Sequence, residues 1–284
     1  MEKAFSIDST VVEKHFDKAA KTFDDAAFVH AVTREGVFDR MQPMVVEAKT
    51  VLDLGCGTGA AIKPLSKRFR GARIIGVDHS RGMIDRCQKR RLWLTKSSFV
   101  NADACSLPFA DNSIDVVFSN LLLPWIDDIP TLGRELARVL RKDGLFGFST
   151  LGPDTLGALR DAWDGIDRYE HVNRFIDMHD VGDSLSKSGL REPVLDVDRL
   201  TVTYDNGNAL FRDLSASGAR NALRGRAPRL TAPATLDRVR RRLEKDGKFS
   251  IVLEIIYGHC WGSGTRHGDG GVRIDAGRIP VRRR

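Results

Sequence analysis

Residues 50–59 read Thr-Val-Leu-Asp-Leu-Gly-Cys-Gly-Thr-Gly. A short apolar run ends in glycines at alternate positions, Gly55, Gly57 and Gly59, and a helical pattern, AAIKPLSKRF, comes next. The stretch predicts a strand, a tight loop and a helix. Alternate glycines let the backbone turn sharply and leave no Cβ between the main chain and a ligand. Further along, RIIGVD (73–78), SSFVNAD (97–103), SIDVVFSN (113–120) and KDGLFGFSTL (142–151) predict strands, with helices over 80–91 and 129–141 between them. Such alternation predicts an α/β fold, a parallel sheet covered by helices on both faces. After Gly152 come two helical stretches, PDTLGALRDAWDGID and MHDVGDSLSKSGL (178–190), a strand VLDVDRLTVTY, a helical NALFRDLSASGARNAL and a last strand FSIVLEIIYGHCWG, for seven strands in all. Residues 152–180 and 206–247 read as helical insertions that cap the substrate side. Residues 11–48 predict two helices, and residues 1–48 are expected to form an N-terminal helical lid on the domain at 49–262.

Composition narrows the class. The chain has 284 residues, 42% hydrophobic and 29% charged, as soluble globular proteins do. No apolar run approaches the roughly 18 residues a membrane span requires, and the first residues, MEKAFSIDST, lack the apolar stretch of a secretory signal. A cytoplasmic address is the expectation. Four cysteines without CxxC spacing predict reduced thiols and no zinc site. Of the net charge of +7, the segment from Ser263 to the end carries +4, from six arginines and two aspartates. The basic character is thus largely a tail effect, and the Gly/Arg-rich tail, 263–284, is expected to be loose rather than a nucleic-acid-binding element.

Two acids downstream give the glycine loop its meaning. Asp78 ends the next apolar run 19 residues after Gly59, and Asp103 ends the third. An acid at the second strand end suits a ribose diol. The loop is neither GxGxxG nor a GK[ST] phosphate loop. D-L-G-C-G-T-G instead resembles the first motif of the class I S-adenosylmethionine-dependent methyltransferases, and the likeness extends through GVDHS, NADACSLPFADNSIDVVFSN and LARVLRKDGLFGFST. The resemblance implies a Rossmann-like, seven-stranded, mostly parallel sheet with an antiparallel last strand. It also implies S-adenosylmethionine as cofactor, with no metal. Asp53 and the N–H groups of Gly55, Cys56, Gly57, Thr58 and Gly59 would hold the amino-acid end of the cofactor, Asp78 the ribose, and Asp103 with Ala104 the adenine edge. His79 and Met83 would flank the adenine, and Asn120 and Leu121 would sit beside the sulfonium.

The rest of the chain is more particular. VEKHFDKAAKTFD, STLGPDTLGALRDAW, HVNRFIDMHDVGD, YDNGNALFRDLSASGARNAL and IIYGHCWG together resemble the malonyl-acyl-carrier-protein O-methyltransferases of biotin synthesis. One departure stands out: Phe23 occupies a position where that family usually has tyrosine, so no hydroxyl contact is carried over. The resemblance implies methylation of the free carboxylate of malonyl-acyl-carrier protein, an acidic protein partner. No base is required, since a carboxylate is already ionised at pH 7. His15, Phe16 and Phe23 are expected to line an N-terminal lid. For the malonyl carboxylate, Arg174 is the first candidate and Arg160 the second, with His171 and Trp125 shaping the same pocket, because an arginine fork matches a carboxylate. Arg220, Arg224, Arg226, Arg229 and the run RVRRR (238–242) offer a basic patch for docking. The competing readings are a relative acting in respiratory-complex assembly and a small-molecule carboxyl methyltransferase. RNA methylation is disfavoured by the apolar Asn120-Leu-Leu-Leu-Pro-Trp125 after the fourth strand. Nucleic acid and membrane are not expected as partners.

Overall fold

The computed structural model describes residues 6–90 and 96–264. The helices α1 (Ser9–Ala19), α2 (Phe23–Ala26) and α3 (Phe28–Met41) precede β1 (Thr50–Leu54), α4 (Ile62–Arg68), β2 (Arg73–Asp78), α5 (Arg81–Lys89) and β3 (Ser97–Asn101). Then come β4 (Ile114–Asn120), a 3-10 turn at Leu123–Trp125, α6 (Ile129–Val139), β5 (Leu140–Leu151) and α7 (Gly157–Trp163). The chain continues through α8 (Met178–Lys187), β6 (Arg191–Tyr204), α9 (Gly207–Ala216), α10 (Pro233–Leu243) and β7 (Phe249–Trp261). Most of the predicted tail, 265–284, lies outside the described residues.

The seven strands form one sheet in the order β3-β2-β1-β4-β5-β7-β6. β1 pairs in parallel with β2 and β4, β2 with β3, and β4 with β5, while β7 runs antiparallel to both β5 and β6. Strand order reverses between β1 and β4, and in such sheets ligands bind where the order reverses, at the carboxyl ends of the strands. Side chains alternate across the sheet as the two-residue period requires. Val51, Ile74, Val116, Phe118 and Leu145 enter one core with α3 and α4. Leu52, Leu54, Ile75, Val77, Val117, Phe146 and Phe148 enter the other with α6 and α8.

Side-chain caps set where helices begin. Ser80 accepts from Met83 N–H ahead of α5, Asp128 from Thr131 ahead of α6, Asp177 from His179 ahead of α8, and Asn206 from Ala209 ahead of α9. Two expectations are corrected. Residues 153–156 are not helical: Leu156 adopts a left-handed conformation, φ 57°, and its N–H is drawn off to Val252 O, so α7 starts only at Gly157. The N-terminal stretch holds three helices, and the third is core. Val37 and Met41 of α3 are 2% and 1% exposed, and Phe38 stacks on Phe118 at 4.9 Å. Gly147 of β5 admits this helix, since a Cβ there would stand 2.6 Å from Met41 Sδ. α1 packs on α5, and α2 packs on α9.

Asp115 pins the start of the sheet. Its Oδ2 accepts the N–H groups of Lys49 and Thr50 at 2.8 Å each, and its Oδ1 pairs with Arg141 at 2.5 Å. Asp115→Ala leaves two part-buried amides without an acceptor and is expected to lower stability by about 2–4 kcal/mol. Denaturant titration checks this, and a loss within error of zero contradicts it.

Candidate functional site

The glycine loop is built by hydrogen bonds to β2. Gly55 and Cys56 N–H both donate to Val77 O (2.8 and 3.0 Å), Gly57 N–H donates to Asp78 Oδ2 (2.8 Å), and Gly59 N–H donates to Cys56 O (2.9 Å). These four amides thus have partners within the protein, and Gly55 and Gly57 bring the loop to the cleft without a Cβ. Gly59 must be glycine on two counts: φ is +83°, and a Cβ would lie 2.9 Å from Cys87 Sγ. Cys56 and Thr58 serve the loop from behind. Cys56 Sγ sits 3.7 Å from Cys87 Sγ, and Thr58 Oγ1 donates to Asp24 Oδ1 at 2.5 Å. Sequence spacing does not reveal that thiol pair.

A narrow cleft lies at the strand ends. Gly55, Gly57, Asp78, His79, Met83, Asp103, Ala104, Asn120 and Leu121 line it from the sheet side, with Phe16 and Phe23 from α1 and α2. With Trp125, twelve positions expected from sequence thus meet in one place, whereas Asp53, Cys56, Thr58 and Gly59 stand outside the lining. Ser9, Val12, Glu13, His30, Leu122 and Ile126 are among the further lining residues and were not expected. The free room is about 120 Å³, below the roughly 300–1,000 Å³ of ligand pockets, and α1 and α2 are tied down beside it. Asp17 Oδ1 accepts from Ser80 Oγ (2.6 Å) and Gly82 N–H (2.8 Å), and Asp24 is held by Thr58, Arg86 and Arg90. These acids give no sequence signal, since an exposed-looking Asp on a helix is ordinary.

Acid dominates the electrostatics here. Asp53 is 2% exposed with Oδ2 lacking any partner, and burial, then the Asp78 charge, pushes its carboxyl up to about 8. Burial likewise pushes Asp78 up to about 6 against the lowering pull of the Ser80 and Gly57 amides. No lysine or arginine is among the cleft's described lining residues. Arg34 offsets only part of the Asp53 shift, and a cleft walled by Asp78 and Asp103 with no lysine or arginine in its described lining fits a ligand that brings its own positive charge. At the far end Leu121 is held at φ 55° by its N–H donating to Ser149 O and Oγ, both 3.1 Å away. A bulky residue in that region costs about 1–2 kcal/mol, a strain that clusters at functional sites.

A second cavity of about 710 Å³ adjoins the first and shares His30, Leu121 and Trp125 with it. Its floor is apolar, with Phe28, Val29, Leu151, Leu159 and Leu253 among its walls, and Arg220, Arg226 and Arg229 join the lining. His15 and His171 belong to this cavity. His15 is shifted down by burial, then by Arg220 and Arg226, and His171 stacks on Trp163 at 3.5 Å and meets Asp167 at 2.9 Å.

The two arginines expected to anchor a carboxylate are placed elsewhere. Arg174 lines a third cavity with Ser6, Ile7 and Asp127, while Val172 and Asn173 before it line the large one and Phe175 after it lines both. Arg160 is half-buried and donates to Thr155 O (3.3 Å) and Asn173 O (3.4 Å), tying the first insertion together rather than lining a cavity.

An acid-lined cleft at the switch point of a seven-stranded sheet, opening on an apolar acceptor cavity, defines a methyltransferase of the Rossmann-like class. The family described as "Methyltransferase domain" matches residues 52–148. Among solved structures, the YcgJ protein of Bacillus subtilis has a TM-score of 0.58 at 17% identity, covering 80% of this chain and 98% of its own. The phosphoethanolamine N-methyltransferase 2 of Haemonchus contortus, in complex with S-adenosyl-L-methionine, has a TM-score of 0.53 at 15% identity, covering 87% and 57%. Both likenesses concern the fold. Over 290 residues the chain is 41% identical to the malonyl-[acyl-carrier protein] O-methyltransferase of Halorhodospira halophila, covering 99% of this chain and 98% of that one. The chain belongs to the malonyl-[acyl-carrier protein] O-methyltransferase family.

Two raised carboxyls have a consequence for stability. Since folding lifts Asp53 to about 8 and Asp78 to about 6 from 3.8, the folded chain binds protons more tightly than the unfolded one, and stability falls as pH rises through this window. Asp53→Asn mimics the protonated form. Without ligand, the Tm of the wild type is expected to decline more steeply than that of Asp53→Asn as pH is raised from about 5 to about 8; parallel curves contradict the shift.

Proposed function

We propose that this protein transfers a methyl group from S-adenosylmethionine to the free carboxylate of malonyl-acyl-carrier protein, giving the methyl ester. The observation that carries the reading is the meeting of two unlike cavities at His30, Leu121 and Trp125, one acid-lined and one apolar with arginines. When bound, S-adenosylmethionine supplies an activated methyl whose carbon–sulfur electron pair leaves on sulfur as a carboxylate oxygen forms the new bond. The residues present suit it. Asp78 and Asp103 would face its ribose and adenine, Met83 and His79 would flank the ring, and Asp53, behind the loop, would answer its positive charge.

The chain's own work is positioning and exclusion of water. Orientation of the reacting groups can supply about 7–11 kcal/mol of effective concentration. Phe16 and Phe23 close the cleft, their centroids 6.5 Å apart, with Trp125 edge-on to Phe16 at 5.2 Å. In a dry pocket, a sulfonium and a carboxylate that neutralise one another gain over the separated ions. α1 and α2 act as the lid that the expectation placed over residues 1–48, and the Asp17 and Asp24 contacts hold it shut. Esterification removes the charge, so the acyl end can travel afterwards as an apolar tip.

The acidic carrier protein docks at the mouth of the large cavity. Arg220, Arg226 and Arg229 lie there beside Leu230, which is 94% exposed. Raising salt from about 0.05 to about 0.3 M is expected to lower kcat/KM several-fold, and less so in an Arg220→Ala/Arg229→Ala variant. A rate indifferent to salt contradicts docking by charge.

The reaction itself is tested with methyl-labelled cofactor and malonyl-, succinyl- and acetyl-carrier proteins. Label is expected on the malonyl form, stable at neutral pH and released by base, with none on the acetyl form, which has no free carboxylate. Equal labelling of malonyl- and acetyl-carrier proteins overturns the reading.

A further inference from the structure

We propose that His30 is the group that grips the acceptor carboxylate at the point of transfer, donating a ring N–H to one carboxylate oxygen while the other attacks the methyl carbon. The proposal rests on the reading above and names the residue that orients the nucleophile. His30 is one of three residues common to both cavities; of the others, Leu121 is apolar and Trp125 lays its ring against Phe16. Its Nδ1 is buried and has no hydrogen-bond partner in the protein. A neutral imidazole carries one N–H and one bare nitrogen; with Nδ1 shut off from solvent as the bare one, the N–H falls on Nε2, which is not shut off and has no partner among the described residues, and which is left for a ligand at the junction of the two cavities.

The ring is held in place by elements that also shape the cleft. Phe23 packs edge-on to it at 4.9 Å. The His30 carbonyl accepts from Asn120 Nδ2 at 2.9 Å, Asn120 Oδ1 accepts from Ser149 Oγ at 2.8 Å, and Ser149 Oγ accepts from Leu121 N–H. The end of β4, the end of β5 and the start of α3 are thus joined through His30. Burial, and then the charge of Arg34, pushes the imidazole down to about 4, so the ring is neutral at physiological pH.

Neutrality matters at this spot. A guanidinium beside the sulfonium would add a second positive charge at short range and draw electron density from the nucleophile. A neutral donor orients the carboxylate without either cost. The placement of charges agrees, because the arginines line the large cavity and none lines the cleft. Specificity for an acid then arises from the chemistry, and the arginines are free to receive the carrier.

The test compares His30→Phe, which keeps an aromatic ring without N–H, with His30→Gln, which restores a donor. Calorimetry with S-adenosylmethionine establishes that the cleft is intact, and single-turnover methylation of malonyl-carrier protein gives the rate. His30→Phe is expected to bind the cofactor as the wild type does and to lose about 10- to 100-fold in methyl transfer, the range for a hydrogen bond to a charged group, with His30→Gln recovering much of it. Full activity in His30→Phe, or equal loss in both variants, overturns the role of His30. Should the variants not fold, the wild type still decides: with ¹⁵N-histidine labelling, adding S-adenosylhomocysteine and malonyl-carrier protein should move one buried ring N–H resonance downfield, and an unmoved spectrum overturns the proposal. Failure of the wild type to methylate malonyl-carrier protein at all would instead remove the underlying reading.

Discussion

Asp78 takes the amide of Gly57 on one oxygen, at 2.8 Å, and the amide of Ser80 on the other, at 2.9 Å. That one carboxyl joins the loop after β1 to the start of α5, and the rest of the site hangs from the join. With Gly57 fixed, its carbonyl meets Cys87 Sγ at 3.1 Å and the loop lies flat against α5. With Ser80 fixed, its hydroxyl caps α5 and reaches Asp17 of α1, so the same residue also fastens α1. Burying a carboxyl is costly, and the two backbone donors offset only part of that cost, as its upward shift records. The folded chain keeps a group that would be better solvated in water because the loop, α5 and α1 all depend on it.

Much of this is legible in the amino-acid order alone. A strand that ends in alternate glycines, succeeded by strands that end in Asp78 and Asp103, is a local pattern whose geometry the backbone enforces, and the cleft assembles there with Ala104, His79, Met83, Asn120 and Leu121 on its walls. The seven strands can be read because each apolar run is bounded by turn residues. What fails depends on direction rather than identity. Arg174 lies in a loop without regular period, so no spacing rule tells that Val172 and Asn173 line the large cavity while Arg174 lines another. Arg160 has the right chemistry and spends it on two carbonyls of its own insertion. α3 carries the same kind of apolar spacing as α1, yet only contact with Phe118 and Gly147 shows that α3 belongs to the core, while α1 packs on α5. His30 gives no signal at all, because a single histidine in a helical pattern looks the same whether it faces solvent, core or ligand.

The two cavities divide the electrostatic labour. Carboxyls gather where a cation is to be held, and among the described residues the cleft has no lysine or arginine that would compete for them. Arginines gather in the adjoining cavity, beside an apolar floor suited to an acyl arm. On the proposed reading, a cation in the cleft would be matched by Asp78 and Asp103, an acyl end in the adjoining cavity would lie beside the arginines, and the two would meet where the cavities share His30, Leu121 and Trp125, so the pair of opposite charges is formed by geometry that neither cavity has alone.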